Sequence, residues 1–428
     1  MKDKHIITLF FLVYFASLLN LVLIEVNSYA ALYVILKYSV FVFFLVIFLS
    51  RLTKNKIDFT LSTLDKLLII LFFYNLLQSF ILSTDFKGAF KIFLGLLFII
   101  LIQNRYAHKA SIIHFYKIFN ILFLILTVAH LYYFLLHPFV WSYRVFRMGI
   151  GGLNGNEIAG IFTTTFPFCI LLIQNKIADK SNLQKITLLF FMLYLYILIF
   201  YNGSRFAIFS SLLSAVIIYY FTVVNPNKGA QKINFAKVIS IILFFGIVSI
   251  YGGEAFFGKD EIFSKSISEI TEGGNQEGNL AGRIGGIWVP LIKHVNENSF
   301  LLGFGNESAN NIAAKTTFWV NENNQILQYT RDIHNFFVTL YVELGFIGFC
   351  IFTLTYGIII LKLVSVLNQK TVTIATDEKI AVLCSFIGFT TWLLTANAWY
   401  SGGWFILFFY VYFLNQIENS KNLIRVNR

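Results

Sequence analysis

The stretch TRDIHNFFVTLYVELGFIGFCIF (Thr330–Phe352) joins a long apolar run to several ionisable side chains. About twenty mostly apolar residues are enough to cross a bilayer. This run nevertheless opens with Arg331, Asp332 and His334 and carries Glu343 in its middle. Ionisable groups inside a membrane are costly and usually mark a function. The stretch therefore predicts a membrane helix whose start serves a functional site.

The rest of the chain has the composition of a polytopic membrane protein. Of its 428 residues, 57% are hydrophobic and 13% charged, whereas soluble proteins carry about 25% charged residues. Mean hydropathy is +0.73. Apolar runs separated by short polar breaks predict an all-α membrane protein with about twelve transmembrane helices. The predicted helices are 6–25, 29–49, 65–83, 88–103, 112–136, 157–175, 185–201, 204–224, 235–251, 334–361, 378–396 and 403–416.

The basic residues predict how these helices are oriented. With the amino terminus in the cytoplasm, lysines and arginines fall at both termini and in every second connection, as the positive-inside rule requires. The net charge of +12 is therefore a topology signal, and no basic domain suited to nucleic acid is present. The first helix lacks a small-residue cleavage site and is expected to remain uncleaved. Three regions follow: helices 1–9 (1–251), a large outer loop (252–333), and helices 10–12 with a cytoplasmic tail (334–428).

The outer loop is predicted to form a small polar subdomain of short helices. Its segments KDEIFSKSISEI (Lys259–Ile270) and RIGGIWVPLIKHV (Arg283–Val295) alternate apolar and polar residues at helical spacing. Pro290 is expected to start or kink the second helix. The three cysteines fall within predicted spans, which argues against a disulfide framework or a thiol-ligated metal.

Four polar groups cluster on this outer side. They are RVFRMGIGGLNGNEIAG (Arg144–Gly160), NGSRFAIFS (Asn202–Ser210), NLAGRIGGIW (Asn279–Trp288) and the opening stretch. Each has a structural interpretation on its own: arginines at helix ends often reach towards headgroups, glycines permit close helix packing, and Glu343 could pair with an arginine. Their shared side favours a common polar chamber.

Arginine and histidine together indicate a particular chemistry. Arginine forks bind phosphate oxygens, and a histidine exchanges protons near neutral pH. Arg205, Arg283 and His334 thus suit a metal-independent displacement from a phosphorylated donor. Further candidate substrate-binding residues are Arg147, Asn154, Asn156, Arg331, Asn335 and Glu343. The outer face of a membrane lacks nucleotides, so the donor is expected to be lipid-linked.

The motifs resemble those of the O-antigen ligase and O-antigen polymerase superfamily. HNFFVTLYVELGFIG is similar to its histidine motif, in which nine residues separate His-Asn from Gly-x-x-Gly. GSRFA and AGRIGGIW resemble its two arginine motifs, and GLNGNEIAG its asparagine-bearing span start. The resemblance covers about residues 140–355.

This resemblance implies an inverting glycosyltransferase with a GT-C-like fold at the periplasmic leaflet of the bacterial inner membrane. The donor and acceptor would be undecaprenyl-diphosphate-linked oligosaccharides, with no cofactor or metal. Arg205 and Arg283 would bind the diphosphate, and His334 would act as the base or as a positioning group for the acceptor hydroxyl. A chain-length regulator is a further expected partner.

Polymerase, ligase and transporter remain as alternatives. Ligases of this family often carry a second histidine beyond Gly-x-x-Gly, and GFIGFCIF has none. This favours a polymerase that moves the growing chain onto the next lipid-linked repeat unit, over a ligase that transfers it to lipid A–core. A polysaccharide transporter or flippase would also suit twelve spans and membrane charge. The one-sided placement of the polar groups argues against it.

Overall fold

The computed structural model describes the following residues: 61–106, 160, 163–164, 166–167, 205–219, 284–316, 318–320, 326–328, 333, 335–367, 376–395, 404, 406–408, 410–415 and 417. Its elements there are α1 (Thr63–Ile81), α2 (Phe86–Tyr106), α3 (Arg205–Tyr219), a π-helical turn (Ile284–Trp288), α4 (Val289–Asn298), α5 (Ala309–Thr316), β1 (Phe318–Val320), β2 (Ile326–Gln328), α6 (Phe336–Leu367) and α7 (Thr376–Thr395). Helical residues also occur between 160 and 167 and between 404 and 417. Six of the twelve predicted helices thus lie wholly or mainly in described regions, and each contains helix.

Some predictions fall elsewhere in the chain. The predicted helices 6–25, 29–49, 112–136, 185–201 and 235–251 and the loop segment Lys259–Ile270 lie outside the described residues. Within the described part, the helical segments Thr63–Ile81 and Phe336–Val366 have the length and apolar composition of a membrane span, although the second is broken at Gly345. The twelve-span topology stays a prediction.

Helix α1 begins at a well-formed cap. Ser62 Oγ accepts a hydrogen bond from the Asp65 backbone N–H (3.1 Å), and the Asp65 carboxylate accepts one from the Ser62 N–H (3.0 Å). This capping box satisfies two N–H groups that the first helical turn would leave without partners. Asn415 Nδ2 donates to the other Asp65 carboxylate oxygen (2.9 Å), so the cap also ties α1 to the last described helical segment.

Helix α6 reverses direction at Gly345. Sixteen residues of straight helix would separate Phe336 from Phe352 by about 24 Å, yet their ring centroids are 5.3 Å apart. Tyr341 and Phe349 are likewise in edge contact at 5.5 Å. Gly345 has φ 64° and ψ −168°, a combination that essentially only glycine adopts. Residues 336–344 are hereafter the short arm, and residues 346–367 the long arm.

The prediction of one membrane span over 334–361 was therefore wrong. The short arm is about 13 Å long, less than half of the roughly 30 Å hydrocarbon core. The long arm alone, about 33 Å, has the length of a span. An apolar run cannot reveal the reversal, because hydropathy carries no information on direction.

The loop 299–305 fills the break in α6. The Gly305 N–H donates to the Glu343 carbonyl (2.9 Å), and the Phe346 N–H donates to the Phe300 carbonyl (2.8 Å). These bonds satisfy backbone groups that the ends of the two arms would otherwise leave without partners. Gly303, also at positive φ (69°), lies against Gly345: a Cβ added at Gly345 would be 2.4 Å from the Gly303 nitrogen.

Helix α1 holds the same turn from the other side. The Tyr74 hydroxyl donates to the Leu344 carbonyl (2.9 Å). The buried Gln78 amide donates to the carbonyls of Leu302 and Glu343. The turn is thus fixed jointly by the outer loop and by a membrane helix.

The outer loop packs around the short arm. One apolar cluster joins the π-helical turn, α4, α5 and the short arm; its buried members are Ile287, Leu291, Val295, Ala309, Ala313, Ile333, Val338 and Val342. The helix predicted from RIGGIWVPLIKHV is confirmed, with Pro290 in its first turn, where its missing N–H costs nothing. The expectation of an all-α loop was wrong in one respect, because β1 and β2 pair as an antiparallel hairpin.

We expect Gly345→Ala to destabilise the protein by about 2–5 kcal/mol, because alanine is strained at this φ/ψ and its Cβ would meet the backbone of Gly303. Gly357→Ala is the matched control, since a Cβ there in the long arm meets nothing within 4 Å; its effect is expected to lie between zero and about 1 kcal/mol of stabilisation. Unfolding of the detergent-solubilised protein, followed by intrinsic fluorescence, measures both. Equal losses in the two variants would contradict a special role of the turn.

Candidate active site

Two of the predicted motifs meet at the carboxyl end of α7. A Cβ added at Gly160, the last residue of GLNGNEIAG, would lie 2.0 Å from the Trp392 ring. Two residues further along α7, the Leu394 carbonyl accepts a hydrogen bond from the Asn335 side chain (3.5 Å). Gly160 is therefore required for a close approach to Trp392, and it brings the start of the sixth predicted span towards the histidine motif.

The sixth predicted span runs along α7. Thr163 Oγ1 donates to the Gly388 carbonyl (3.4 Å), and Ser385 Oγ donates to the Thr164 carbonyl (2.6 Å). Contacts from 160 to 164 thus match 392 down to 385, so the two segments are antiparallel. Asn154 and Asn156, which precede this contact in the chain, lie outside the described residues.

The arginine-bearing loop motif also reaches the histidine motif. Trp288, the last residue of NLAGRIGGIW, donates its indole N–H to the Ile333 carbonyl (3.0 Å). Ile333 is fully buried and immediately precedes His334. Arg283 and His334 themselves lie outside the described residues. The π-helical turn that ends at Trp288 directly follows Arg283, and Ile333 directly precedes His334, so this bond links the two motifs.

Asn335 caps the short arm. Its Oδ1 accepts a hydrogen bond from the Val338 N–H (3.1 Å), and its carbonyl accepts one from the Thr339 hydroxyl (2.9 Å). The side chain is 6% exposed. Its bonds to Val338 and Leu394 therefore fix the residue that directly follows His334.

The start of the short arm lies inside the bundle. The Phe336 ring contacts Phe352 (5.3 Å) and Trp404 (5.7 Å), and Trp404 contacts Phe72 of α1 (4.4 Å). Phe352 follows Gly345 by seven residues, about 10 Å along the long arm. The residues that flank His334 therefore lie about 10 Å from the turn, surrounded by three helical segments.

The structure separates two of the candidate substrate-binding residues. Asn335 is at the first end of the short arm and Glu343 at the other, about 12 Å away along the helix. Glu343 is fully buried, and its Oε1 accepts a hydrogen bond from the Ala309 N–H (3.4 Å). A carboxylate at the amino end of α5 is electrostatically favourable. Its described contact is thus with the outer subdomain.

Arg205 begins α3, as predicted from the motif GSRFA, and its side chain lies outside the description. Helix α3 packs against α7, where the Cys384 thiol approaches the Ser214 carbonyl (3.9 Å). The remaining candidates, Arg147 and Arg331, lie outside the described residues.

Sequence reasoning missed the residues that hold the site together. Trp288 stood inside a quoted motif, but nothing in the sequence paired its indole with position 333. Gln78 gave no signal, because a single amide in an apolar helix is unremarkable. Trp392 and Leu394 act through close contact and a backbone carbonyl, which no pattern of residue types reveals.

The described helices indicate the general class of the protein. Apolar helices of membrane length, with a polar subdomain packed on one end, are typical of helical membrane proteins. Residues 189–353 match the family model described as O-antigen ligase. This match supports the O-antigen ligase and polymerase superfamily that the motifs predicted; members of that family are glycosyltransferase-like proteins of bacterial membranes. A search of curated proteins found no match.

The matched region contains Arg205, Arg283, His334, Asn335 and Glu343. The asparagine motif, by contrast, lies before its first residue. The similarity to this family therefore covers the two arginine motifs and the histidine motif.

We expect Glu343→Ala to loosen α5, because the Ala309 N–H would lose its acceptor inside the core. Glu343→Gln keeps an acceptor oxygen and is expected to retain most of the protection, losing only the charge–dipole contribution of about 0.3–1 kcal/mol. Hydrogen–deuterium exchange of the peptide that covers 309–316 is the measurement. Unchanged exchange in the alanine variant would show that the carboxylate does not hold α5.

Proposed function

We propose that the protein is a surface-polysaccharide (O-antigen) polymerase. It transfers an undecaprenyl-diphosphate-linked glycan chain onto the next lipid-linked repeat unit, with inversion and without a metal ion. The reaction takes place at the periplasmic face of the bacterial inner membrane, with both termini in the cytoplasm. A chain-length regulator is the proposed protein partner.

One observation carries the proposal: residues of three separate motifs make contacts close to Ile333 and Asn335, the two residues that flank His334. Trp288 binds the carbonyl before His334, and Asn335 after it binds the Leu394 carbonyl. Gly160 packs against Trp392, two residues from Leu394. Packing of membrane helices does not by itself require three motifs distant in sequence to lie together. Their convergence therefore supports a common site.

Arg205 completes the proposed site by helix geometry. It precedes Ser214 by nine residues, and Leu394 follows Cys384 by ten; Ser214 and Cys384 are in contact. In the predicted topology α3 runs towards the cytoplasm and α7 away from it. Arg205 and Leu394 therefore lie on the same side of the Ser214–Cys384 contact, each about 14–15 Å from it along its helix. Asn335 also lies at the level of Leu394.

The proposed chemistry assigns each group one task. A hydroxyl of the acceptor sugar attacks the anomeric carbon of the donor glycan, on the face opposite the diphosphate. The new glycosidic bond forms as the bond between that carbon and the diphosphate oxygen breaks. Undecaprenyl diphosphate leaves, with its charge neutralised by Arg205 and Arg283. The proton of the attacking hydroxyl passes to His334.

The proposal gives the candidate substrate-binding residues different roles according to their positions. Arg147, Asn154, Asn156 and Arg331 would contact sugar or phosphate. Asn335 would act by fixing the backbone beside His334, as its hydrogen bonds suggest. Glu343, at the far end of the short arm, would act on the outer subdomain.

The ligase is the principal alternative, and its acceptor would be lipid A–core. The absence of a second histidine after Gly348 favours the polymerase. A transporter would need functional groups that both sides of the membrane reach in turn.

Reconstitution separates the three functions. The purified protein receives undecaprenyl-diphosphate-linked repeat units with EDTA present, and the products are sized on a gel. We expect a ladder of longer lipid-linked glycans. Transfer only after lipid A–core is added would identify a ligase, and inactivity of a folded protein with both acceptors would favour transport. A ladder that EDTA abolishes and Mg²⁺ restores would contradict the metal-independent mechanism.

His334→Ala is expected to abolish transfer while membrane insertion and expression remain normal, because the acceptor hydroxyl would lose the group that accepts its proton. Glycans of wild-type length from this variant would remove His334 from the mechanism.

Arg205→Lys is expected to reduce turnover by about 10–100-fold, because lysine keeps the charge but loses the two-pronged hydrogen bonding to phosphate. Arg51→Lys, in a predicted cytoplasmic connection, is the matched control and is expected to behave as wild type. Full activity of Arg205→Lys in the same gel assay would show that the position requires charge alone.

A further inference from the structure

We infer that Trp288 is a positioning residue for His334, acting through the Ile333 carbonyl; this inference rests on the proposed function. The indole N–H of Trp288 donates to that carbonyl at 3.0 Å. The carbonyl carbon of Ile333 is bonded covalently to the His334 nitrogen. The hydrogen bond therefore fixes the peptide plane from which the His334 side chain departs.

The acceptor of this hydrogen bond is buried, and its donor, Trp288, is half-buried. Ile333 is fully buried, and Trp288 packs against the apolar cluster that includes Ile287, Leu291 and Val338. A hydrogen bond in such surroundings is stronger than one exposed to solvent, and breaking it leaves a buried carbonyl without its partner. Trp288 is thus suited to hold the peptide in one orientation.

The second side of His334 is fixed independently. Asn335 accepts a hydrogen bond from the Val338 N–H and donates one to the Leu394 carbonyl. The backbone is consequently held on both sides of His334, by Trp288 before it and by Asn335 after it. A base fixed at two backbone points has little freedom to leave its working position, and displacement by about 1 Å can cost about 100-fold in rate.

Trp288 also links the two halves of the proposed chemistry. Arg283, a proposed ligand of the diphosphate, precedes Trp288 by five residues, and only the π-helical turn separates them. The indole therefore connects the segment that would hold the leaving group to the segment that carries the base. Movement of one segment on donor binding would be transmitted to the other.

A second hydrogen bond, between Tyr341 and Asn296, offers a matched control. The Tyr341 hydroxyl donates to the Asn296 side chain, which joins α4 to the short arm at the end near Gly345. Trp288, in the π-helical turn that leads into α4, contacts Ile333, which precedes the short arm at the end near His334. Both bonds link positions 45 residues apart in the chain. Trp288→Phe and Tyr341→Phe each remove one donor from this interface while keeping an aromatic ring.

Steady-state kinetics on the reconstituted protein test the inference. We expect Trp288→Phe to lower kcat about 10–100-fold with the KM for the lipid-linked donor within about twofold, since substrate binding is retained while the base is misplaced. The acid limb of the kcat profile against pH should flatten, because less of the remaining rate depends on His334. Tyr341→Phe should keep kcat within about twofold and an unchanged pH profile. Wild-type kinetics for Trp288→Phe would overturn the inference and leave the proposed function intact.

Hydrogen–deuterium exchange gives a readout that needs no activity. We expect exchange in the peptide 330–340 to accelerate in Trp288→Phe and not in Tyr341→Phe. Unchanged exchange in both variants would overturn the inference, even if the wild-type protein made no product and the proposed function had failed. If Trp288→Phe does not fold, benzothienylalanine at position 288 keeps the shape of the ring without the N–H donor and is put through the same measurements.

Discussion

The backbone contact between Gly303 and Gly345 is the constraint on which the packing of residues 284–345 depends. Both residues have positive φ, and a Cβ on either would come within 2.4 Å of the other's nitrogen. Only this approach lets the loop 299–305 supply hydrogen bonds to the broken ends of α6. A membrane helix cannot reverse without partners for its freed backbone groups. Loop and helix therefore have to form together.

The reversal decides what the short arm does. In a continuous span, the start of residues 336–344 would point towards the outer surface. Folded back, it lies about 10 Å behind the turn, next to Phe352 and Trp404. The short arm serves as the centre of the outer subdomain's apolar core and at the same time carries the residue that follows His334 into the bundle. One element thus links the subdomain to the proposed site.

The proposed site is assembled from groups that a sequence pattern rarely reveals. Two of its anchors are backbone carbonyls, those of Ile333 and Leu394, and a third is the missing side chain of Gly160. The motifs predicted which segments would meet, because arginine, histidine and asparagine on one side of a membrane are unusual. They could not predict the pairings, because a carbonyl occurs at every residue. Nor could they show that Asn335 and Glu343, eight residues apart, would serve opposite ends of one short helix.

The amino-acid sequence alone predicted the membrane class, the helical character of the described spans and the amphipathic loop helix with Pro290 near its start. It also predicted the similarity of residues 189–353 to the O-antigen ligase family. These follow from composition, periodicity and residue types, which are local properties. The direction of the chain after Gly345, the burial of the residues beside His334 and the link from Trp288 to Ile333 came from the three-dimensional structure alone. Each depends on contacts between distant segments, and a glycine permits a reversal without requiring one.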